Sequence, residues 1–377
     1  MTIYLDCNAT TPMDPEVLSE VVRFMSEEFG NEGSRTHQYG QRAKKATQQA
    51  RDRVAAVVAC GRDEVVFTSG ATESNNLALL GLAPHGMETG RRHIISSQIE
   101  HKAILEPLER LQSQGFEVTL VAPTPGGWID PDELASHLRP ETLLVSLMHV
   151  NNETGIIQPI EEVCARLEGH SAYFHVDAAQ SFGKLIEPLQ AKRIDLISIS
   201  GHKIYGPKGI GALIARRRGY ARPPLTPIMV GGGQERGLRP GTLPVQLVVG
   251  LGKAAELALA HNAERRAACE SFREKLVAEL EPLAPCWVGD NARRLHNTAS
   301  LRFPGLDSEA LIVQVKGLVA ISNGSACTSS HYNPSHVMLA MGLSENEAQE
   351  VVRMSWFHGT EDPDWSAVYQ AINQLSR

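Results

Sequence analysis

Short apolar runs alternate with helix-patterned segments over the first two thirds of the chain. The runs are Glu64–Thr68, His93–Ser97, Glu117–Ala122, Leu143–Val150, Ala172–Val176, Leu196–Ser200 and Gly211–Ala215. Most are rich in Val, Ile or Leu, as strands buried on both faces should be. Seven such runs with helices between them predict an α/β domain built on a mostly parallel seven-stranded sheet.

The helix boundaries carry their own signals. Asp14-Pro15 offers an N-cap followed by proline at the first helical position, and Gly30 is read as closing that helix. Tyr39–Val58 reads as a long amphipathic helix, with Ala43, Ala46, Ala50, Val54 and Val57 on one face. Asp130-Pro131 repeats the capped start. After about Gly250 the texture changes. Helical stretches at Leu251–Asn262 and Ala263–Leu283 precede strand-like runs at Thr298–Phe303 and Leu318–Ile321. Ser344 and Glu347 form a capping box for a helix expected to end at Arg353. This part reads as a smaller α+β domain.

Composition narrows the class. The chain has 377 residues, 42% hydrophobic and 21% charged, and a formal net charge of −7. Such a balance disfavours an electrostatic grip on nucleic acid. No apolar run is long enough to span a bilayer, and the start MTIYLDCNATTP does not read as a signal peptide, so a cytoplasmic location is expected. Arg216, Arg217, Arg218 and Arg222 form the one basic cluster, read as a solvated loop at a strand end. Six scattered cysteines contain no CxxC pair, so no metal site is signalled. Five of them read as buried small hydrophobes.

Cys327 differs. It lies in Ser322-Asn323-Gly324-Ser325-Ala326-Cys327-Thr328-Ser329-Ser330, a run of small and polar residues that reads as an exposed loop carrying a nucleophilic thiol.

The remaining chemistry gathers at strand ends, where α/β sheets bind ligands. Ser200-Gly201-His202-Lys203 follows an apolar run, and a lysine amine can form a Schiff base with a carbonyl cofactor. Asp177 ends another run. An unpaired carboxylate there would be costly, and a protonated pyridine nitrogen is a fitting partner for it. Gln180 and Asn152 could reach a ring hydroxyl. Thr68-Ser69-Gly70-Ala71-Thr72-Glu73-Ser74 opens a helix and offers an anion its free N–H groups. His101 could stack on the ring or relay a proton. Arg353 could clamp a carboxylate. No P-loop or GxGxxG signature is present, which argues against a nucleotide.

With these residues in place the chain resembles the class V, fold-type I pyridoxal-phosphate (PLP) enzymes, and within them the cysteine desulfurases. The resemblance runs through Ala9-Thr10-Thr11-Pro12, Glu100-His101-Lys102, His149-Val150-Asn151-Asn152-Glu153, His175-Val176-Asp177-Ala178-Ala179-Gln180, Ser200-Gly201-His202-Lys203, Gly231-Gly232-Gly233-Gln234-Glu235-Arg236 and Gly324-Ser325-Ala326-Cys327-Thr328-Ser329. It implies a large domain over residues 15–255 and a small domain from 1–14 and 256–377. It implies that Lys203 holds the cofactor, Asp177 pairs with its ring nitrogen and His101 stacks on it. Ala71, Thr72, Ser200 and His202 would hold the phosphate, with Thr242 reaching the phosphate of a neighbouring subunit in a homodimer. Arg353, helped by Asn152, would bind the carboxylate of L-cysteine. Cys327 would carry the sulfur as a persulfide to a protein acceptor.

Some positions depart from the family pattern. Glu32 stands where proline is usual, and Trp356-Phe357-His358-Gly359 replaces the Leu-Gly-Arg that follows serine in iron–sulfur housekeeping members. Arg239-Pro240-Gly241-Thr242 and Arg353-Met354-Ser355-Trp356 resemble instead the desulfurase of bacterial DNA phosphorothioation. General iron–sulfur or tRNA-thiolation supply, selenocysteine lyase or aminotransferase activity, and a nucleic-acid-binding or scaffold role beside DNA-modifying partners stand as the alternatives.

Overall fold

The computed structural model describes residues 2–324 and 334–375. Seven strands form the main sheet: β1 (Val65–Thr68), β2 (His93–Ser97), β3 (Glu117–Val121), β4 (Thr142–Met148), β5 (Tyr173–Asp177), β6 (Leu196–Ser200) and β7 (Gly211–Ala215). Their order is β1-β7-β6-β5-β4-β2-β3, and only β7 runs antiparallel to its neighbours. Both faces of β1, β2, β4, β6 and β7 are buried, whereas the edge strand β3 is largely open. This is why the central runs read as continuous apolar segments.

Four helices place the site. They are α1 (Pro15–Ser26), α2 (Gln38–Val57), α3 (Ala71–Thr89) and α4 (Lys102–Ser113). Asp14 caps α1 by accepting from the Glu16 N–H at 3.0 Å. That helix stops at Ser26, short of Gly30. Ala43, Ala50, Val54 and Val57 bury one face of α2, as its periodicity predicts.

A second core gathers Leu5, Cys269, Phe272, Leu301, Val352 and Trp356. It packs on an antiparallel sheet of three strands, Cys286–Trp287, Thr298–Arg302 and Val351–Ser355. Arg353 therefore lies on a strand and does not end a helix. The capping box at Ser344 and Glu347 is formed, but its helix ends at Gln349. The β-branched pair Val351-Val352 then pairs with Arg302 and Leu301 instead of continuing the helix.

Two further expectations are corrected. Arg216 is buried, not solvated. Its guanidinium donates to the carbonyls of Ala191 at 2.5 Å and Leu189 at 2.6 Å. Arg218 pairs with Asp195 at 2.6 Å and lies 4.6 Å from the Tyr173 ring centre. Of the five cysteines expected to be buried, Cys286 is exposed and Cys60 only half-buried, since Cys286 sits on an edge strand. Among the described residues no helix is long and apolar enough to cross a membrane.

Candidate active site

A cavity of about 480 Å³ opens at the ends of the sheet strands. Ala71, Thr72, His101, Asn152, Asp177, Gln180, Ser200, His202, Lys203 and Arg353 all line it. Thr242 is exposed and is not part of the lining. Cys327 lies outside the described residues.

Lys203 ends a single 3-10 turn, Gly201–Lys203, directly after β6. Its Nζ donates to the carbonyls of Asn8 and, at 2.9 Å, of Ala9. The chain after it is held in an unusual conformation. Tyr205 has φ 66°, and its N–H donates to Thr11 Oγ1 at 3.0 Å. The Asp14 N–H in turn donates to the Tyr205 carbonyl at 2.9 Å. A non-glycine residue in this region persists only when its surroundings over-determine it. Here the segment 11–14 does so and fixes the lysine turn.

Asp177 is 6% exposed at the end of β5. Its Oδ1 accepts from the Ala179 N–H at 2.9 Å, and its Oδ2 accepts from Asn75 Nδ2 at 2.7 Å. Both donors are neutral, and the carboxylate lines the cavity. Gln180 donates to the Asn8 carbonyl at 2.9 Å, while its Oε1 is buried without a hydrogen-bond partner among the described residues.

One end of the cavity lies at the start of α3. Gly70 precedes this helix with φ 156°, a conformation that favours glycine, and offers no side-chain cap. The first N–H groups of α3 are thus left to a ligand. Ser200 and His202 stand on the facing wall. Burial, with Lys203 and Lys208 nearby, pushes the His202 pKa down to about 4, so the ring is neutral.

His101 caps α4, accepting from the Ala103 N–H through Nδ1 at 3.1 Å. Desolvation lowers its pKa, Asp177 opposes the shift and Lys203 adds to it. Next to it, Glu100 is fully buried. Ser97 Oγ and the Met148 N–H donate to its Oε1 at 2.6 and 3.0 Å, and burial raises its pKa to about 8. Arg353 pairs with Asp6 at 2.5 Å and donates to the Asn152 carbonyl at 2.9 Å. Its Nε has no partner among the described residues.

Three contributors escaped the sequence reading: Asn75 beneath Asp177, the Asn8 and Ala9 carbonyls on Lys203, and Asp6 on Arg353. Asn75 directly follows the Thr68–Ser74 segment and Asp6 lies in the opening stretch MTIYLDCNATTP, but only the folded chain shows which carboxylate or cation each one meets.

The chain matches the Aminotransferase class-V family over residues 3–364. The cysteine desulfurase IscS of Shewanella sp. (strain W3-18-1) is 43% identical over 99% of this chain and 92% of its own length. The chain belongs to the class-V aminotransferase family, among its cysteine desulfurases. The crystal structure of DndA from Streptomyces lividans superposes with a TM-score of 0.82 at 50% identity, covering 93% of this chain and 98% of that one. A structure of SspA in complex with cysteine gives a TM-score of 0.82 at 37% identity, covering 94% and 98%.

The family is PLP-dependent, and the cavity fits that cofactor. An uncapped helix N-terminus suits the phosphate, a buried carboxylate held by neutral donors suits the pyridine nitrogen, and a lysine amine shares the same space.

Proposed function

We propose that this chain converts L-cysteine to L-alanine, keeps the sulfur as a persulfide on Cys327 and passes it to a protein acceptor in DNA phosphorothioation or to an iron–sulfur protein of that pathway. The observation that carries the chemistry is one cavity holding Lys203, Asp177, His101 and Arg353 together. The pathway rests on 50% identity to DndA along with the Arg239–Thr242 and Arg353–Trp356 motifs.

When bound, PLP supplies an electron sink conjugated to the substrate Cα. Ala71, Thr72, Ser200 and His202 hold its phosphate, and Thr242 reaches the phosphate bound in a second copy of the chain, making the working unit a homodimer. Asp177 would pair with the ring nitrogen and favour its protonated form. Gln180 and Asn152 would contact the ring hydroxyl, and His101 would stack on the ring. Lys203 Nζ holds the cofactor at rest and takes the Cα proton of the bound substrate. Arg353 binds the substrate carboxylate through guanidinium N–H groups that Asp6 and the Asn152 carbonyl leave open.

The Cys327 thiolate attacks the substrate sulfur. An S–S bond forms and the C–S bond breaks. The electron pair stays with the carbon fragment, which is protonated and leaves as alanine. L-Cysteine and one enzyme thiol thus become alanine and one enzyme persulfide, with no outside oxidant.

The test is turnover of L-cysteine by the purified holoenzyme with mass analysis of the protein. Alanine release together with one added sulfur on Cys327 is expected. Negligible alanine sinks the reading, and faster turnover of L-selenocysteine would reassign the substrate. Co-purification of the acceptor from the native host tests the pathway.

A further inference from the structure

A second cavity, of about 270 Å³, lies between the helix Asn262–Leu280 and residues 291–296. It shares no lining residue with the cofactor cavity. Arg266, Glu270 and Arg273 face it from the helix, at the i, i+4, i+7 spacing that puts side chains on one face. Arg294 and His296 face it from the other side. Three guanidiniums thus meet one carboxylate in a chain whose formal net charge is −7.

The cations are not used up by their neighbours. Arg266 spends only its Nε on Glu270, at 2.9 Å. Among the described residues no hydrogen bond or ion pair engages the Arg273 guanidinium. Arg294 is 5% exposed. It donates from Nη2 to the Val288 carbonyl at 2.6 Å and from Nη1 to the Thr154 carbonyl, which leaves one hydrogen on each of these nitrogens. Behind the cavity Lys184 is buried with no partner for its Nζ among the described residues, and its charge bears on His296. Burial, reinforced by Arg273, lowers the Arg294 pKa to about 10. Like charges gathered against low-dielectric walls focus a positive potential into a concave space, and guanidinium forks match oxyanion geometry.

We propose that this cavity binds a small oxyanionic ligand, a phosphate or carboxylate group held by Arg266, Arg273 and Arg294. Its floor is tied to the active-site wall. The Leu295 N–H donates to the Gly155 carbonyl at 2.9 Å, and the Ile157 N–H donates to the Arg293 carbonyl at 2.7 Å. An anion on Arg294 fastens the 154–157 segment that follows Asn152.

The test uses the PLP-loaded holoenzyme, so that the cofactor fills its own phosphate cradle. Isothermal titration with inorganic phosphate, at an ionic strength fixed with chloride, is expected to show saturable binding. A parallel titration with succinate separates a phosphate from a carboxylate ligand by which probe binds more tightly. The double variant Arg266→Gln/Arg273→Gln is expected to weaken the preferred probe at least tenfold. Glu270→Gln removes the carboxylate of the lining and is expected to tighten it at least threefold. Absence of saturable binding by both probes overturns the proposal. So does unchanged affinity in the double variant, or unchanged or weaker binding in Glu270→Gln.

Discussion

Asn75 donates from Nδ2 to Asp177 Oδ2 at 2.7 Å, joining the second turn of α3 to the end of β5. Both side chains are buried, so water does not replace this bond. In the proposed function, the helix whose N-terminus would take the phosphate thereby also positions the carboxylate assigned to the ring nitrogen. A hydrogen bond to a charged group contributes about 1.5–3 kcal/mol, so Asn75→Ala is expected to lower kcat/KM for L-cysteine about 10- to 100-fold. Steady-state kinetics and the absorbance of the bound cofactor check this. Unaltered kinetics with full cofactor occupancy would remove Asn75 from the site.

Arg353 is held by Asp6 and the Asn152 carbonyl before any substrate arrives. This pairing keeps a nearly buried guanidinium oriented. Lysine has the charge but not the planar fork. Arg353→Lys is expected to raise KM for L-cysteine about tenfold or more, with a smaller change in kcat, through loss of a charge-assisted bond of about 1.5–3 kcal/mol. A fall confined to kcat would place the side chain at the chemical step instead.

The sheet was legible because six of its strands are buried on at least one whole face and announce themselves as apolar runs. The turn at Lys203 and the uncapped start at Gly70 were legible because glycine and strand ends mark ligand approach. Arg353 was misplaced because a good capping box outweighed two valines, and pairing with Thr298–Arg302 decides between helix and strand only in three dimensions. Arg216 was read as solvated because nothing local reveals the carbonyls of Leu189 and Ala191 that converge on it. The same limit hides Asn75: the Thr68–Ser74 segment before it is visible, its partner 102 residues away is not.

Glu100 gives a pH prediction with a definite sign. Burial raises its pKa from 4.5 to about 8, so the fold favours the protonated carboxyl. The stability it contributes is full below about 4.5, the unfolded value, and is lost as pH rises through about 8. In Glu100→Gln the amide oxygen can still accept from Ser97 and Met148, and no charge has to be buried. Thermal unfolding at pH 5 and pH 9 is expected to show the variant gaining on the parent as pH rises. A difference in Tm that stays constant across this range would show that Glu100 does not titrate with folding.

Glu235 ties the glycine-rich segment 231–233 to the core. It accepts from Arg51 at 2.6 and 2.7 Å and from the Phe67 N–H at 2.7 Å. It does so at φ 47°, a conformation a carboxylate residue adopts only under constraint. Arg51 also lies 4.5 Å from the Phe67 ring centre, so the pair is shut away from water. Removing one charge of a buried pair costs about 3–5 kcal/mol because the other remains unpaired. Glu235→Gln is therefore expected to unfold at markedly lower denaturant concentration. The double variant Arg51→Met/Glu235→Gln should recover part of the loss, and chemical denaturation of all three proteins measures the coupling.

Cys327 separates the two halves of the proposed reaction. Holding the cofactor and moving the Cα proton are assigned to Lys203, Asp177 and Arg353, none of which needs the thiol. Cys327→Ser is expected to keep the cofactor's colour and its shift on adding L-cysteine, while persulfide formation and alanine release are lost. Lys203→Ala is expected to do the reverse at the first step: borohydride should leave no covalent cofactor on the protein. Of the remaining cysteines, Cys7, Cys164 and Cys269 are buried with pKa values pushed up to about 12 by burial, which makes them poor nucleophiles. Cys286 is exposed and is the natural control. If Cys327→Ser still gains sulfur and Cys286→Ser does not, the carrier assignment moves to Cys286.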